Sequence, residues 1–240
     1  MRKLLIGLFV ALAVTAFPAA AGARVATHGP LQFDPNKKIT QSQSSNWSGY
    51  AATGGGFSSV TSTWTQPTAS CASVTTYSSF WVGLDGDGSN TVEQTGTSAD
   101  CSSGHPNYYA WYEMYPKYPV NLSIAIHPGD SITGTVTVTG NGRYTLHLHN
   151  NKTGGDFSTT VKGHGSNYSA EAIAEAPSSR SGVLPLTNFG TVNFASTLVN
   201  GVAIGSFNPD RIDMVSGSTL KAQTGALSGG TGFSVVWKHS

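Results

Sequence analysis

The sequence predicts an all-β fold, an antiparallel sandwich of two sheets, on the basis of three observations. About a dozen short segments alternate apolar and polar residues with the period of two that is typical of half-buried strands. Turns rich in Gly and Asn separate these segments, and Gly140-Asn-Gly142 is a strong hairpin signal. No stretch after residue 45 keeps a helical period. Short strands at close spacing favour a sandwich in a single domain.

The first 45 residues are predicted to lie outside this domain. Arg2 and Lys3 precede an apolar run over residues 4–16, and small residues follow over 18–23, a combination typical of a signal peptide. The apolar run is shorter than the roughly 20 residues of a membrane-spanning helix. The chain is therefore expected to be secreted and extracellular. Its predicted parts are a signal peptide (1–23), a pro-segment or flexible arm (24–45) and a β-sandwich domain (46–240).

The charge balance excludes some classes of partner. Five of the 13 basic and one of the 12 acidic residues lie within residues 1–45, which leaves 8 basic and 11 acidic side chains for the rest, a net charge of −3. A nucleic-acid protein would show a basic patch, so no nucleic-acid partner is expected. No run of about 20 apolar residues follows the predicted signal peptide, so no membrane is expected as a partner either. We expect a monomer. Charged residues are only 10% of the chain, so few groups can unfold it when they protonate in acid.

The predicted strands follow one another in regular order. Residues 78–96 read as a hairpin in which two strands flank a Gly-rich turn. Trp81 and Asp85 share one face of the first strand, and Gln94 lies on the face opposite to Glu93. The other strands are expected at 60–65, 108–115, 122–126, 132–138, 144–148, 157–161, 170–176, 190–197, 211–215, 220–223 and 233–237.

Neither the cysteines nor the histidines indicate a metal site. Cys71 and Cys101 are expected to pair in an exported protein, with two free thiols as the alternative. A bridge closing about 30 residues stabilises by roughly 3–4 kcal/mol in the chain-entropy model. His147 and His149 share the outward face of one strand and could bind a metal, but the sequence shows no third ligand. A polar strand face is favoured, and no metal or other cofactor is expected.

Three glutamates are candidates for chemistry. Glu171 and Glu175 share a strand face, but at about 3.3 Å per residue their backbones are roughly 13 Å apart, too far for the carboxyl pair of a glycosidase. A solvated strand face is the favoured interpretation; the alternative is that one of them works with a neighbouring strand. Glu113 lies between Trp111 and Tyr115 on one face. Its carboxyl group is either desolvated, with a raised pKa, or hydrogen-bonded across the sheet.

Six short runs occur in an order and spacing that match one known family. They include Phe-Trp-Val-Gly-Leu-Asp-Gly-Asp, Glu-Gln-Thr-Gly and Ala-Glu-Ala-Ile-Ala-Glu, and occupy residues 46–47, 80–87, 93–96, 110–116, 128–132 and 170–175. With these runs the chain resembles the glutamic peptidases (eqolisins), which are secreted acid endopeptidases. The resemblance covers most of the predicted domain and implies a concanavalin- or lectin-like β-sandwich. The shortness of the pro-segment favours a bacterial member.

The resemblance implies a catalytic pair, Gln94 of the Glu-Gln-Thr-Gly run and Glu175, the second acid of the Ala-Glu-Ala-Ile-Ala-Glu run. Glu175 would take a proton from the attacking water, and the amide of Gln94 would stabilise the oxyanion. The implied activity is that of a pepstatin-insensitive acid endopeptidase acting on proteins or peptides. The residues implied for the substrate cleft are Trp47, Trp81, Asp85, Glu113 and Tyr115.

Two other functions are open from the residues alone. A β-sandwich glycoside hydrolase would set Glu113 and Glu175 across a groove lined by Trp81 and Trp111. A non-catalytic module would bind a carbohydrate or a peptide on the same aromatic face. Only the peptidase gives the Glu-Gln-Thr-Gly run a role.

Overall fold

The computed structural model describes residues 26–32 and 43–240. Its strands are β1 (Gln43–Ser44), β2 (Trp47–Thr53), β3 (Ser59–Thr65), β4 (Ser79–Leu84), β5 (Val92–Ser102), β6 (His105–Tyr115), β7 (Val120–Leu122), β8 (Ser131–Gly140), β9 (Arg143–Asn150), β10 (Asp156–Lys162), β11 (Ser169–Glu175), β12 (Ser178–Ser179), β13 (Gly182–Val183), β14 (Thr191–Val199), β15 (Val202–Ala203), β16 (Asp210–Ser216), β17 (Thr219–Thr224) and β18 (Phe233–Trp237). Among these residues, one 3-10 turn, Ile204–Phe207, is the only helical element. The predicted all-β class is confirmed.

The strands form two packed layers. Hydrogen bonds run continuously through the order β10-β9-β8-β3-β14-β18-β17-β16-β2-β11-β4-β5-β6-β7. The path turns over at β16, which pairs with β17 on one side and with β2 on the other. We call the strands from β10 to β17 in this order the back sheet, and those from β2 to β7 the front sheet. Strands β4 and β5 of the front sheet pack on β8 and β9 of the back sheet, as predicted for a sandwich.

The front sheet has two different faces. Phe80, Val82 and Leu84 of β4 are fully buried between the layers, where they meet Trp64 and Leu146 of the back sheet. Because a strand sends successive side chains to opposite faces, the residues in between point to the outer face. There they form a second buried cluster around Trp47, Trp81, Trp111 and Ile173. The inner face holds the sandwich together, and the outer face is available for a site.

Three predicted strands need correction. The second strand of the hairpin predicted over residues 78–96 extends to Ser102, and its partner begins at His105. The strand predicted at 122–126 ends at Leu122: beyond it Ile124 and Ile126 still pack into the core, but the backbone has no ladder partner. The strand predicted at 170–176 is β11, but its glutamates do not face solvent, since every side chain of this strand is buried.

The predicted disulfide is present. Cys71 and Cys101 are bonded, with their Cα atoms 5.4 Å apart. Cys101 lies near the end of β5, so the bridge ties the loop before β4 to the far end of the hairpin β5–β6. The bond therefore braces the turn end of the β5–β6 hairpin.

The segment predicted as a pro-segment or flexible arm is packed where the structure describes it. Residues 26–32 lie against the outer face of the front sheet, and β1 pairs with β16. The predicted signal peptide (1–23) and residues 33–42 lie outside the described residues. Across residues 26–32 and 43–240, no helix is long and apolar enough to span a membrane.

Candidate active site

The side chains implied as the catalytic pair come together on the outer face of the front sheet, from strands far apart in the sequence. Glu175 of β11 lies opposite Ser79 of β4, and Gln94 of β5 lies opposite Glu113 of β6. Strand β4 joins the two pairs, since Gly83 of β4 lies opposite Gln94. All four polar side chains are fully buried. We call the groove around them the cleft; its aromatic walls are Trp47, Trp81, Trp111 and Tyr115.

Trp81 orients Glu175. Its Nε1 donates to Oε2 of Glu175 at 2.8 Å. The indole of Trp47 packs edge-on against that of Trp81, with ring centroids 5.0 Å apart. Gly96 makes room for this packing, because a Cβ there would lie 2.5 Å from the Cβ of Trp81. Glu175 also meets Nδ2 of Asn46 at 3.5 Å.

Gln94 is held between a carboxyl group and a peptide carbonyl. Its Nε2 lies 3.3 Å from Oε2 of Glu113 and also donates to the main-chain oxygen of His28. Glu113 in turn accepts the backbone N–H of His28 at 2.9 Å. The amide of Gln94 therefore points into the cleft, where it can donate to a carbonyl oxygen.

Residues 26–32 occupy the cleft, which the sequence did not predict. His28 is 1% exposed, and its ring stacks on Trp111 with centroids 3.8 Å apart and planes 4° apart. Nε1 of Trp47 donates to the carbonyl of Gly29 at 3.1 Å. A Cβ on Gly29 would lie 3.4 Å from the ring of Tyr115. No signal in the sequence links His28 to Gln94, which is 66 residues away.

Burial perturbs the ionisation of the cleft. It raises the pKa of Glu175 well above its usual value, against the opposing effect of the Trp81 and Asn46 donors. It raises the pKa of Glu113 likewise, against the opposing N–H of His28. Burial lowers the pKa of His28 to about 3. The two carboxyl groups thus favour their protonated forms while the cleft is filled, and the imidazole is neutral.

Asp85 does not share the cleft with the other implied residues. Its carboxylate accepts hydrogen bonds from Ser166 Oγ and from the backbone N–H groups of Asn167 and Tyr168, at 2.7–2.9 Å. The predicted shared face with Trp81 fails here because Asp85 has a φ of 69°, which ends the strand alternation. Asp85 supports the loop before β11.

Asp85 and Glu93 form a second group of buried acids, which we call the acidic cluster; Glu171 lies on the other face of the sheet, since it pairs with Gly83 whereas Glu93 pairs with Leu84. Burial and the neighbouring Asp85 raise the pKa of Glu93 to about 8. Burial also raises the pKa of Glu171 well above its usual value, and nearby acids add to the rise. The solvated strand face that pattern favoured for Glu171 and Glu175 is therefore wrong for both, since both are 0% exposed.

His147 and His149 lie on the outward face of β9, as predicted, and they meet a third side chain. Oδ1 of Asp156 on β10 lies 2.7 Å from Nε2 of His147 and 2.9 Å from Nδ1 of His149. The sequence could not show this contact, because it depends on the register of β9 against β10. Both histidines therefore share one carboxylate oxygen of Asp156.

Known proteins match the chain over most of its length. The Peptidase A4 family matches residues 45–237. Aspergillopepsin-2 of Aspergillus niger is 30% identical over 216 residues, 79% of this chain and 77% of that protein. Scytalidopepsin B of Scytalidium lignicola is 32% identical over 172 residues, 70% of this chain and 65% of that protein. A crystal structure of scytalido-glutamic peptidase with a transition state analog inhibitor superposes with a TM-score of 0.72 and 29% identity, over 81% of this chain and 98% of that one.

These matches decide among the functions that the residues left open. The matched region contains both sheets and every strand that carries the cleft. Neither a glycoside hydrolase nor a non-catalytic binding module fits a match of this extent to peptidases. The chain belongs to the Peptidase A4 family, the glutamic peptidases or eqolisins, and is a peptidase that acts on proteins or peptides.

Proposed function

We propose that this peptidase is a secreted acid endopeptidase in which Glu175 is the general base and Gln94 stabilises the oxyanion. The position of one peptide bond, His28–Gly29, carries the proposal. The Nε2 of Gln94 donates to the carbonyl oxygen of this bond, and Nδ1 of the His28 ring lies 3.4 Å from Oε2 of Glu175, so the carboxyl group is beside the bond. Amide hydrolysis adds charge at the carbonyl oxygen and a proton at the nitrogen, so it needs a donor on this oxygen and a proton carrier nearby.

The reaction follows from these two contacts. Glu175 as a carboxylate takes a proton from a water molecule as the water oxygen attacks the carbonyl carbon. The N–H of Gln94 donates to the oxygen that becomes negative, an interaction typically worth about 10²–10³ in rate. Glu175 then gives the proton to the leaving nitrogen, and the C–N bond breaks. Because an amide does not titrate, Gln94 remains a donor at every pH.

Neighbouring residues position the substrate in this proposal. Glu113 accepts the N–H of the residue whose carbonyl is attacked, as it does from His28. Trp47 donates to the carbonyl of the following residue, as it does to Gly29. Trp81 holds Glu175, and Tyr115 forms the wall beside Gly29. Asp85 is left out of the substrate-binding set, because it bonds to the loop before β11.

The acid working range follows from the ionisation of Glu175. Burial that includes residues 26–32 raises its pKa. When water replaces those residues, the pKa is expected to fall toward the reference value of about 4.3, helped by the Trp81 and Asn46 donors. Glu175 is then an ionised base in mildly acidic solution. A single glutamate also differs from the paired aspartates that share a proton in aspartic peptidases, so we expect no inhibition by pepstatin.

Secretion is supported by the amino-terminal signal pattern and by the disulfide between Cys71 and Cys101. The measurement is the amount of the protein in culture medium against cell lysate. Export that depends on residues 1–23 supports the proposal; retention of the intact chain in the cytoplasm contradicts it.

Digestion of a denatured protein at about pH 4 tests the chemistry, with pepstatin present throughout. Wild type is expected to cut, and Glu175→Gln and Gln94→Ala are expected to lose at least about 10²-fold in kcat/KM. Circular dichroism of each variant checks the fold. Cleavage at the wild-type rate by a folded Glu175→Gln variant contradicts the assignment.

A further inference from the structure

Three side chains that can bind a metal converge on the outer face of the back sheet. His147 and His149 of β9 each direct one ring nitrogen to Oδ1 of Asp156 on β10, at 2.7 and 2.9 Å. One ligand atom from each of the three residues lies within 4.8 Å of the other two. We call these residues the His-His-Asp cluster. Two imidazoles and one carboxylate are a ligand set that suits zinc and related first-row transition metals.

The strands fix the positions of the three residues. Strand β9 lies between β8 and β10 in the back sheet. Asp156 pairs directly with His149, and His147 lies two residues away on the same face of β9. Leu146 and Leu148, which alternate with the histidines, are buried in the core. Because all three backbones belong to paired strands, only side-chain rotations are needed to bind an ion.

The spacing of the ligand atoms is close to that of a tetrahedral zinc site. With zinc about 2.0–2.1 Å from each nitrogen or oxygen, neighbouring ligand atoms are about 3.3 Å apart. The two distances to Asp156, 2.7 and 2.9 Å, are shorter than this by about half an ångström. The three side chains are between 35% and 54% exposed, so they can separate by this amount without disturbing the core. Water can supply the fourth ligand.

The surroundings of the cluster leave its negative charge available to a cation. Among the residues that the structure describes, Asp156 makes ion pairs with these two histidines alone. The other residues that pair with the histidines are Thr133 and Thr135 on β8 and Ser158 on β10, and none of them is basic. No lysine or arginine of these strand pairs therefore competes with a metal ion for the carboxylate.

We propose that the His-His-Asp cluster is a zinc site, in which one ion is bound by Nε2 of His147, Nδ1 of His149 and a carboxylate oxygen of Asp156. The site goes beyond the peptidase activity and does not rest on it. The cleft lies on the outer face of the front sheet, whereas the cluster lies on the outer face of the back sheet. The ion is therefore separated from the cleft by the whole sandwich and takes no part in peptide hydrolysis.

The consequence of binding is structural. Strand β10 is the last strand at its end of the back sheet, so it has a ladder partner on one side only. Edge strands of this kind open at a lower free-energy cost than central strands. A zinc ion held by β9 and β10 together adds a link across this ladder. Since the ion binds the paired strands and not the separated ones, it stabilises their pairing.

Isothermal titration calorimetry with zinc chloride tests the site. The full chain, purified without a histidine tag and treated with a chelator that is then removed, carries Glu175→Gln so that it stays intact. At about pH 7.5 the imidazoles are neutral and can bind a metal. One ion per chain is expected. His147→Ala, His149→Ala and Asp156→Asn should each weaken zinc binding by at least about tenfold, because each removes one of three ligands.

The chain offers a matched control. Nδ1 of His127 lies 3.4 Å from Oδ2 of Asp130, so this pair has a histidine and a carboxylate but stands outside the three-ligand cluster. His127→Ala should bind zinc as the parent does. Magnesium prefers oxygen ligands and should not replace zinc.

Hydrogen exchange locates the ion without relying on the variants. Zinc at ten times its Kd should slow exchange of the backbone amides of β10, Asp156–Lys162, by as much as about tenfold, because it disfavours any opening that releases it. The amides of β6, in the front sheet, should exchange as before.

Four outcomes would overturn the inference. No binding at zinc concentrations up to about 1 mM would show that the cluster only forms hydrogen bonds. Unchanged affinity in all three ligand variants would place the ion elsewhere. One ion per two chains would mean that the site lies between copies of the chain. Loss of digestion by the wild type in the presence of a chelator would contradict the separation of the ion from the cleft.

Discussion

Two groups of buried carboxyl groups lie within one sheet, and they have different surroundings. Glu113 and Glu175, the cleft carboxyl groups, meet N–H donors from Gln94, Trp81 and the backbone of His28. In the acidic cluster, Glu93 lies next to Asp85, and elsewhere in the sheet the pKa of Glu171 is raised by burial and by the charge of other acids, Asp87 first. Burial raises the pKa in both groups, so a raised pKa does not by itself identify a catalytic residue. The groups that face each carboxyl decide what it can do.

The largest expected effect is a difference between two glutamates of one strand. Glu171 and Glu175 lie on the same face of β11, and both are fully buried. Glu175→Gln is expected to lower kcat/KM by at least about 10²-fold, because it removes the base. Glu171→Gln should stay within about threefold of wild type, because neither of its carboxyl oxygens bonds to residues 26–32, which fill the cleft. Initial rates on a denatured protein measure both; equal losses would mean that the two groups act as one site.

The next largest effect is on how the free energy of unfolding depends on pH. Burial raises the pKa of Glu93 to about 8, above its usual value, so the folded state binds this proton more tightly than the unfolded state. The resulting stabilisation is complete below about pH 4.5 and is lost as the pH rises to about 8, on the order of 5 kcal/mol for this one group. Glu93→Gln keeps a donor for Asp85 and cannot ionise. Its stability should therefore fall much less between pH 5 and pH 8 than that of the parent.

Denaturant unfolding at these two pH values measures the difference, in a Glu175→Gln background that prevents self-digestion. Parent and Glu93→Gln curves with the same pH dependence would contradict the ionisation assigned to Glu93. A parent that is more stable at pH 8 than at pH 5 would contradict the raised pKa values of both groups of carboxyl groups.

Alanine substitutions at two glycines, one beside the acidic cluster and one in the cleft, are expected to differ in their steric effect on stability. A Cβ on Gly165 would lie 2.3 Å from Oδ2 of Asp85 and 2.4 Å from Oε2 of Glu93, whereas one on Gly29 would lie 3.4 Å from the ring of Tyr115. Gly165→Ala is expected to destabilise by about 1–3 kcal/mol because the cluster is already full. Gly29→Ala should leave the unfolding midpoint unchanged. Chemical denaturation measures the unfolding midpoints of both variants. Equal midpoints would show that the acidic cluster can rearrange.

The smallest effect is expected for an exposed carboxylate. Hydrogen bonds from His147 and His149 lower the pKa of Asp156, so these bonds stabilise at neutral pH and are lost as the pH falls through that lowered pKa. Because Asp156 is exposed, Asp156→Asn should shift Tm at pH 7 by less than about 2 °C. Differential scanning calorimetry measures this shift. A shift as large as that of Gly165→Ala would show that exposure does not separate this carboxylate from the buried ones.

Much of the fold could be predicted because the relevant signals are local. The alternation in β4, β6 and β9 assigned the faces of Trp81, Glu113 and His147 correctly, since a period of two is a property of each strand alone. Prediction failed at Asp85, where one residue with positive φ changes the direction of the chain. It also failed for Glu171 and Glu175, because burial of an outward face depends on what covers it.

The sequence by itself determined most of the strands, the disulfide partners and, through the order of six runs, the family to which the chain belongs. Only the tertiary structure decided that Glu93 joins an acidic cluster with Asp85 while Glu175 joins the cleft, and that residues 26–32 fill that cleft. The physical reason is distance along the chain. The alternation of a strand depends on neighbouring residues only. Hydrogen-bond partners such as His28 and Gln94 meet only when the fold brings distant parts of the chain together.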